Sequence, residues 1–150
     1  MDGDYVEVKN LERQSFATDE VRTSKSESVL RRMRAMFPTM GLGHSPVYVQ
    51  SGNVGSYAME GDLVFLSPDN HAVRRLVSEE AMKRKSIVVL TSGNELYDGS
   101  CHAYVKVRGI ELSRDFKARH PTEIDQLGAR EGCAELIDKG AVQLITVNFM

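Results

Sequence analysis

"DLVFLSPDNHAVRRLVSEEAMKRKSIVVLTS", residues 62–92, decides the fold. Its ends carry two short apolar runs, 63–66 and 87–90. Each is too continuous for a strand with one wet face, so both read as strands buried on both sides. Between them Val73, Leu76, Val77 and Ala81 recur at helical spacing. Asp69 stands where it can cap that helix, and Lys83, Arg84 and Lys85 close it, where the helix dipole favours positive charge. Strand, helix, strand with short connections is the pattern of a βαβ crossover with parallel pairing.

Outward from this unit the pattern weakens. Upstream, 26–37 reads as a helix with Ser26 or Ser28 as cap, an apolar stripe of Val29, Leu30, Met33, Met36 and Phe37, and Pro38 as its stop. Val47 and Val49 alternate with Tyr48 and Gln50, which predicts a strand over 47–50. Residues 1–25 are polar, with sparse apolar residues and no sustained period, and read as a tail or arm. Downstream, 101–108 alternates between Cys101, Ala103, Val105, Val107 and His102, Tyr104, Lys106, Arg108, the pattern of a strand with one solvated or interface face. A helix over 122–139 and a strand over 141–150 complete the chain.

The sum is an α+β or α/β fold of about six strands and three helices, one domain over 26–150 behind the 1–25 tail. The alternative is a mostly-β barrel or jelly roll with the 70–85 helix inserted between strands.

Bulk properties narrow the function. A chain of 150 residues with 41% hydrophobic and 27% charged residues is an ordinary globular domain that needs no disulfide or metal to fold. The net charge of −2 does not favour non-specific nucleic-acid binding. No segment approaches the ~20 apolar residues of a membrane span. Two cysteines, Cys101 and Cys133, suit a reducing, cytoplasmic compartment.

No complete catalytic motif is present, and no phosphate-loop or dinucleotide glycine pattern. No spacing of His, Cys, Asp or Glu suggests a metal, so no cofactor is expected. If the βαβ reading holds, Ser67 and Asp69 after the first strand approach Thr91, Ser92 and Asn94 after the second. That places hydroxyls and backbone N–H groups at the carboxyl ends of parallel strands, where α/β sheets bind ligands. The basic clusters Arg31, Arg32, Arg34 and Lys83, Arg84, Lys85 are the candidate nucleic-acid contacts, against a plain reading as solvated helix faces.

These observations lead to an expectation of a non-enzymatic, self-associating assembly subunit of the viral or phage structural kind, a homo-oligomer contacted through the 1–25 arm. The first alternative is a small enzyme or nucleotide- or phosphate-binding domain using 67–69 and 91–94. The second is an RNA-binding or movement-type protein using the basic helix ends.

Overall fold

The structure, a computed structural model, describes residues 1–12, 14–68, 70–94 and 99–119. The expected cap Asp69, the helix over 122–139 and the strand over 141–150 lie outside the described residues. The chain divides into two compact units, Met1–Val49 and Gln50–Met150.

In the first unit the main element is α1, Lys25–Met36. Residues 2–6 run antiparallel to the segment that leads into it. Val6 N donates to Thr23 O at 2.9 Å, Arg22 N to Val6 O at 2.8 Å and Lys25 N to Asp4 O at 2.9 Å. An isolated bridge joins Tyr5 to Ser24, and Val6 is only 1% exposed. The polar composition of residues 1–25 hid this because the pairing partner lies some 18 residues away, beyond any local period. The expected strand over 47–50 does not form. Instead Tyr48 donates its hydroxyl to Asp4 Oδ1 at 2.7 Å, and its ring covers Gly3 so closely that a Cβ there would meet ring carbons at 2.7 Å.

The second unit contains the βαβ crossover: β1, Leu63–Leu66; α2, His71–Met82; β2, Ile87–Asn94. β1 and β2 pair in parallel, Leu63 opposite Val88 and Leu66 opposite Thr91. The N-cap of α2 is Asn70, whose Oδ1 accepts from Ala72 N at 2.9 Å and Val73 N at 3.4 Å. β2 then pairs antiparallel with β3, Gly99–Val107, from Ile87 opposite Lys106 to Asn94 opposite Gly99. A two-residue β4, Ile110–Glu111, and a single turn, α3, Phe116–Arg119, follow. The sheet order is β1-β2-β3-β4.

The architecture is therefore α+β, a mixed sheet of four strands with two longer helices among the described residues. The expected six strands and three full helices are not reached there. The barrel or jelly-roll alternative is unsupported, because the strands among the described residues form an open sheet, with β1 at one end of that order and β4 at the other.

Three expectations about faces also change. β1 is not buried on both sides: Leu63 and Phe65 are exposed and only Leu66 is buried. The buried stripe of α2 is Arg74, Val77, Ser78 and Ala81, rotated from the apolar stripe read off the sequence. On β3 the buried residue is Tyr104, on the more polar-looking side, and its neighbours do not alternate in burial. Among the described residues the core of this unit is built from Val54, Ala58, Leu66, Val77, Ala81, Ile87, Val89 and Tyr104.

Candidate functional site

In the second unit the sequence-based site is brought together in part. Ser67 Oγ and Ser92 Oγ are 2.6 Å apart, across the carboxyl ends of β1 and β2. Parallel pairing accounts for this: Leu66 opposite Thr91 places the next residues, Ser67 and Ser92, side by side. Thr91 is buried. Asn94 closes β2, so Thr91–Asn94 is strand backbone paired with β3 and not a free loop. Its N–H groups are partly committed to that ladder, which leaves fewer for a ligand than a loop would offer.

Arg74 holds these two strand ends together. Its Nε donates to Pro68 O at 2.7 Å and its Nη2 to Ser92 O at 2.8 Å. It is 8% exposed. Arg74 lies outside the apolar stripe of Val73, Leu76, Val77 and Ala81 expected of α2. The structure buries it because two carbonyls at the strand ends need donors, and a long guanidinium from the first turn of α2 reaches both.

The first unit contributes a site that sequence reasoning missed. An open pocket of about 400 Å³ lies on its surface, within the size range of small-molecule pockets. The apolar stripe of α1 (Val29, Leu30 and Met33) forms one wall, and Asp2, Lys25 and His44 supply charge and polarity. Lys25 Nζ pairs with Asp4 Oδ2 at 3.0 Å and is largely covered. Asp2 Oδ1 accepts from Asp4 N at 2.9 Å, and Ser26 Oγ lies 2.9 Å from Ser24 Oγ and 3.5 Å from His44 Nδ1. The Tyr48 hydroxyl hydrogen bond, opposed by desolvation and aided by Lys25, holds the Asp4 carboxyl below its usual range. The same contact pushes the Tyr48 hydroxyl upward. One signal was available: a helix with an apolar stripe and no apolar sequence beside it to cover that stripe.

The basic residues are tied to their own units. Arg31 pairs with Glu27 at 3.5 Å; Arg32 donates to Ser15 O and sits 5.1 Å from the Phe16 ring centroid; Arg34 donates to Leu42 O at 3.4 Å. Lys83 and Arg84 both pair with Glu80, and Arg84 Nε also donates to Ala58 O at 2.7 Å. The backbone N–H of Lys85 donates to Glu60 Oε2 at 2.8 Å. Among the described residues no group of three His, Cys, Asp or Glu could hold a metal ion, and no helix is long and apolar enough to cross a membrane.

The ThiF family profile matches residues 1–138, spanning both units. The chain belongs to the ThiF family. No curated protein matches it in sequence. Among solved structures it is similar to E. coli MccB, with 17% identity and a TM-score of 0.71 over 98% of this chain. It is also similar to E. coli MccB with MccA-N7isoASN, with 17% identity and a TM-score of 0.69 over 98% of this chain. At that identity the likeness is one of fold. The chain spans 42% and 43% of the lengths of those two MccB chains.

ThiF membership overturns the expectation of a non-enzymatic assembly subunit of the viral or phage structural kind, and points to an enzymatic domain. A missing local motif does not exclude chemistry, because a site can be assembled from residues far apart in the chain. The family match begins at residue 1 and so includes the 1–25 segment, which holds the Asp4–Lys25 pair.

Proposed function

We propose that this chain is the nucleotide-binding part of an adenylating enzyme. The observation that carries the reading is the ThiF-family match over residues 1–138. The fold neighbour MccB is an E1-like adenylating enzyme, and one of its structures includes MccA-N7isoASN. Adenylation joins a carboxylate oxygen of the acceptor to the α-phosphorus of ATP and releases pyrophosphate.

Two sets of groups suit a nucleotide. In the second unit Ser67 and Ser92 offer hydroxyls at the carboxyl ends of parallel strands, with the Asn70-capped start of α2 after β1. In the first unit the Asp2, Lys25 and Ser26 pocket combines an apolar wall with a carboxylate, an ammonium and a hydroxyl. An apolar wall suits a base, a carboxylate suits ribose hydroxyls, and an ammonium suits phosphate.

Calorimetric titration of the full chain with ATP tests this. Micromolar to millimolar binding is expected. A loss of about tenfold or more in Lys25→Ala assigns the nucleotide to the first unit, and the same loss in Ser67→Ala/Ser92→Ala assigns it to the second, the usual effect of losing a charged or paired hydrogen bond. Absence of ATP binding up to millimolar concentration would sink the proposal.

A further inference from the structure

We propose that the sheet face turned away from α2 in the second unit is a pairing surface, which a second copy of this chain covers sheet against sheet. The strand register decides which side chains share that face, because residues opposite one another on neighbouring strands point the same way. Leu66, Val89 and Tyr104 line one recess with Arg74 and Ser78 of α2, and Lys106 Nζ donates to Met82 O at 2.8 Å, which marks the α2 side. The residues between them face the other way. Leu63 and Phe65 stand opposite Val88 and Leu90, and Val88 stands opposite Val105. Val107 stands opposite Ile110, and the bond from Leu112 N to Val105 O, 2.9 Å, carries Leu112 onto the same face.

This face is apolar across all four strands. Phe65 is 73% exposed and Ile110 65%, and Leu63, Val107 and Leu112 are exposed with them. A single exposed apolar side chain is ordinary, whereas a continuous patch marks a contact surface. The open area is roughly 600 Å² per copy, at the upper limit of what monomers leave uncovered and close to the ~800 Å² each partner gives a stable interface.

Three observations select a second copy as the occupant. None of these side chains is charged, so the face offers no pattern of sign by which to choose a different protein, yet it matches itself across a two-fold axis. Burying it strands no charge, and a net charge of −2 sets little repulsion between two copies. The described chain after β4 turns to the α2 side, where Arg114 and Arg119 line the recess with Arg74, and so does not cover the opposite face. The surface differs from the arm contact expected of residues 1–25, since Val6 is buried and paired within its own unit.

Sedimentation equilibrium of the full chain from about 1 to 100 µM tests the proposal. A dimer with a micromolar dissociation constant is expected. Phe65→Asp and Ile110→Asp each place a carboxylate in the joint and should weaken pairing at least about tenfold. Both positions are exposed in the single chain, so the fold should survive, and a thermal melt checks this. Val8→Asp, at an exposed apolar residue of the first unit, is the control and should pair at native strength. Cys101, exposed and opposite Ser92 at the end of the same face, supplies a second readout. Its alkylation, followed by mass spectrometry, should slow as the native chain is concentrated and stay fast in Phe65→Asp.

A monomer across the whole range overturns the proposal. So does a dimer that either aspartate variant leaves intact, or one that Val8→Asp dissociates. A Cys101 alkylation rate independent of concentration overturns it too, and a uniformly slow one would show that the chain covers this face itself. None of these outcomes involves ATP, so this surface and the nucleotide reading stand or fall separately.

Discussion

The guanidinium of Arg74 occupies the space that a side chain at Gly93 would need: a Cβ there would meet Nη2 at 2.6 Å and Nη1 at 2.9 Å. Arg74 cannot retreat without releasing Pro68 O or Ser92 O. Gly93→Ala is therefore expected to lower stability by about 1–3 kcal/mol, the cost of a buried hydrogen bond lost. Urea unfolding measures it. Gly55→Ala is the control, because its Cβ would meet nothing closer than Glu80 Oε1 at 3.5 Å. Equal midpoints for the two variants would show that Arg74 yields freely.

Asn70 begins α2 by accepting from two backbone N–H groups with one side-chain oxygen. Asn70→Ala should cost about 1 kcal/mol, while Asn70→Asp should keep the cap. Hydrogen exchange in the first turn of α2 reports the difference. Unchanged protection at Ala72 and Val73 in the alanine variant would contradict the assignment.

Ser28 is fully buried in α1 and its Oγ has no hydrogen-bond partner. A buried hydroxyl without a partner costs free energy, and alanine is the better helix former. Ser28→Ala should stabilise the chain by about 0.5–1 kcal/mol. A drop in the thermal midpoint would mean that this hydroxyl has a use.

Burial, then the hydrogen bond and charge of Glu111, with Asp115 adding to it, push the Tyr104 hydroxyl up to about 12. The folded value lies above the ordinary value of 10.0, so the protonated form is favoured in the native chain. Its stabilising contribution is complete below pH 10 and is lost as pH rises from about 10 to 12. Titration of tyrosinate absorbance should show one residue ionising last, and Glu111→Gln should move that residue downward. If all five tyrosines ionise together near pH 10, the burial of Tyr104 is wrong.

Asp4 is shifted in the other direction, first by the Tyr48 hydroxyl and then by Lys25, against desolvation. A carboxyl held low stabilises the fold above its unfolded value, and that contribution disappears as pH falls through the folded value. Tyr48→Phe should raise the Asp4 carboxyl toward its ordinary range and move acid unfolding to higher pH. A carboxyl carbon NMR titration checks the first effect. An unmoved Asp4 resonance would count against the contact.

The βαβ unit was legible because its information is local. Two apolar runs of strand length flank a helical period, and the short connections leave parallel pairing as the economical arrangement. The closeness of Ser67 and Ser92 followed from that unit alone. Arg74 was misread for a related reason. Burial of a charge depends on which carbonyls lie across the fold from it, and no spacing within α2 records that. Thr91–Asn94 looked like a loop because serine, glycine and asparagine are turn residues, yet an antiparallel partner at Gly99–Val107 held them in strand form.

By itself the sequence determined the helix over most of 25–36 and the crossover from β1 through α2 to β2, since side-chain period and chain breakers act over a few residues. Tertiary structure alone decided that residues 2–6 dock against 22–25, that the Tyr104 side of β3 is the buried one, and that Asp4, Lys25 and Tyr48 meet. Those outcomes rest on contacts between residues far apart in the chain. Their free energy comes from pairing and desolvation that exist only once both partners are in place.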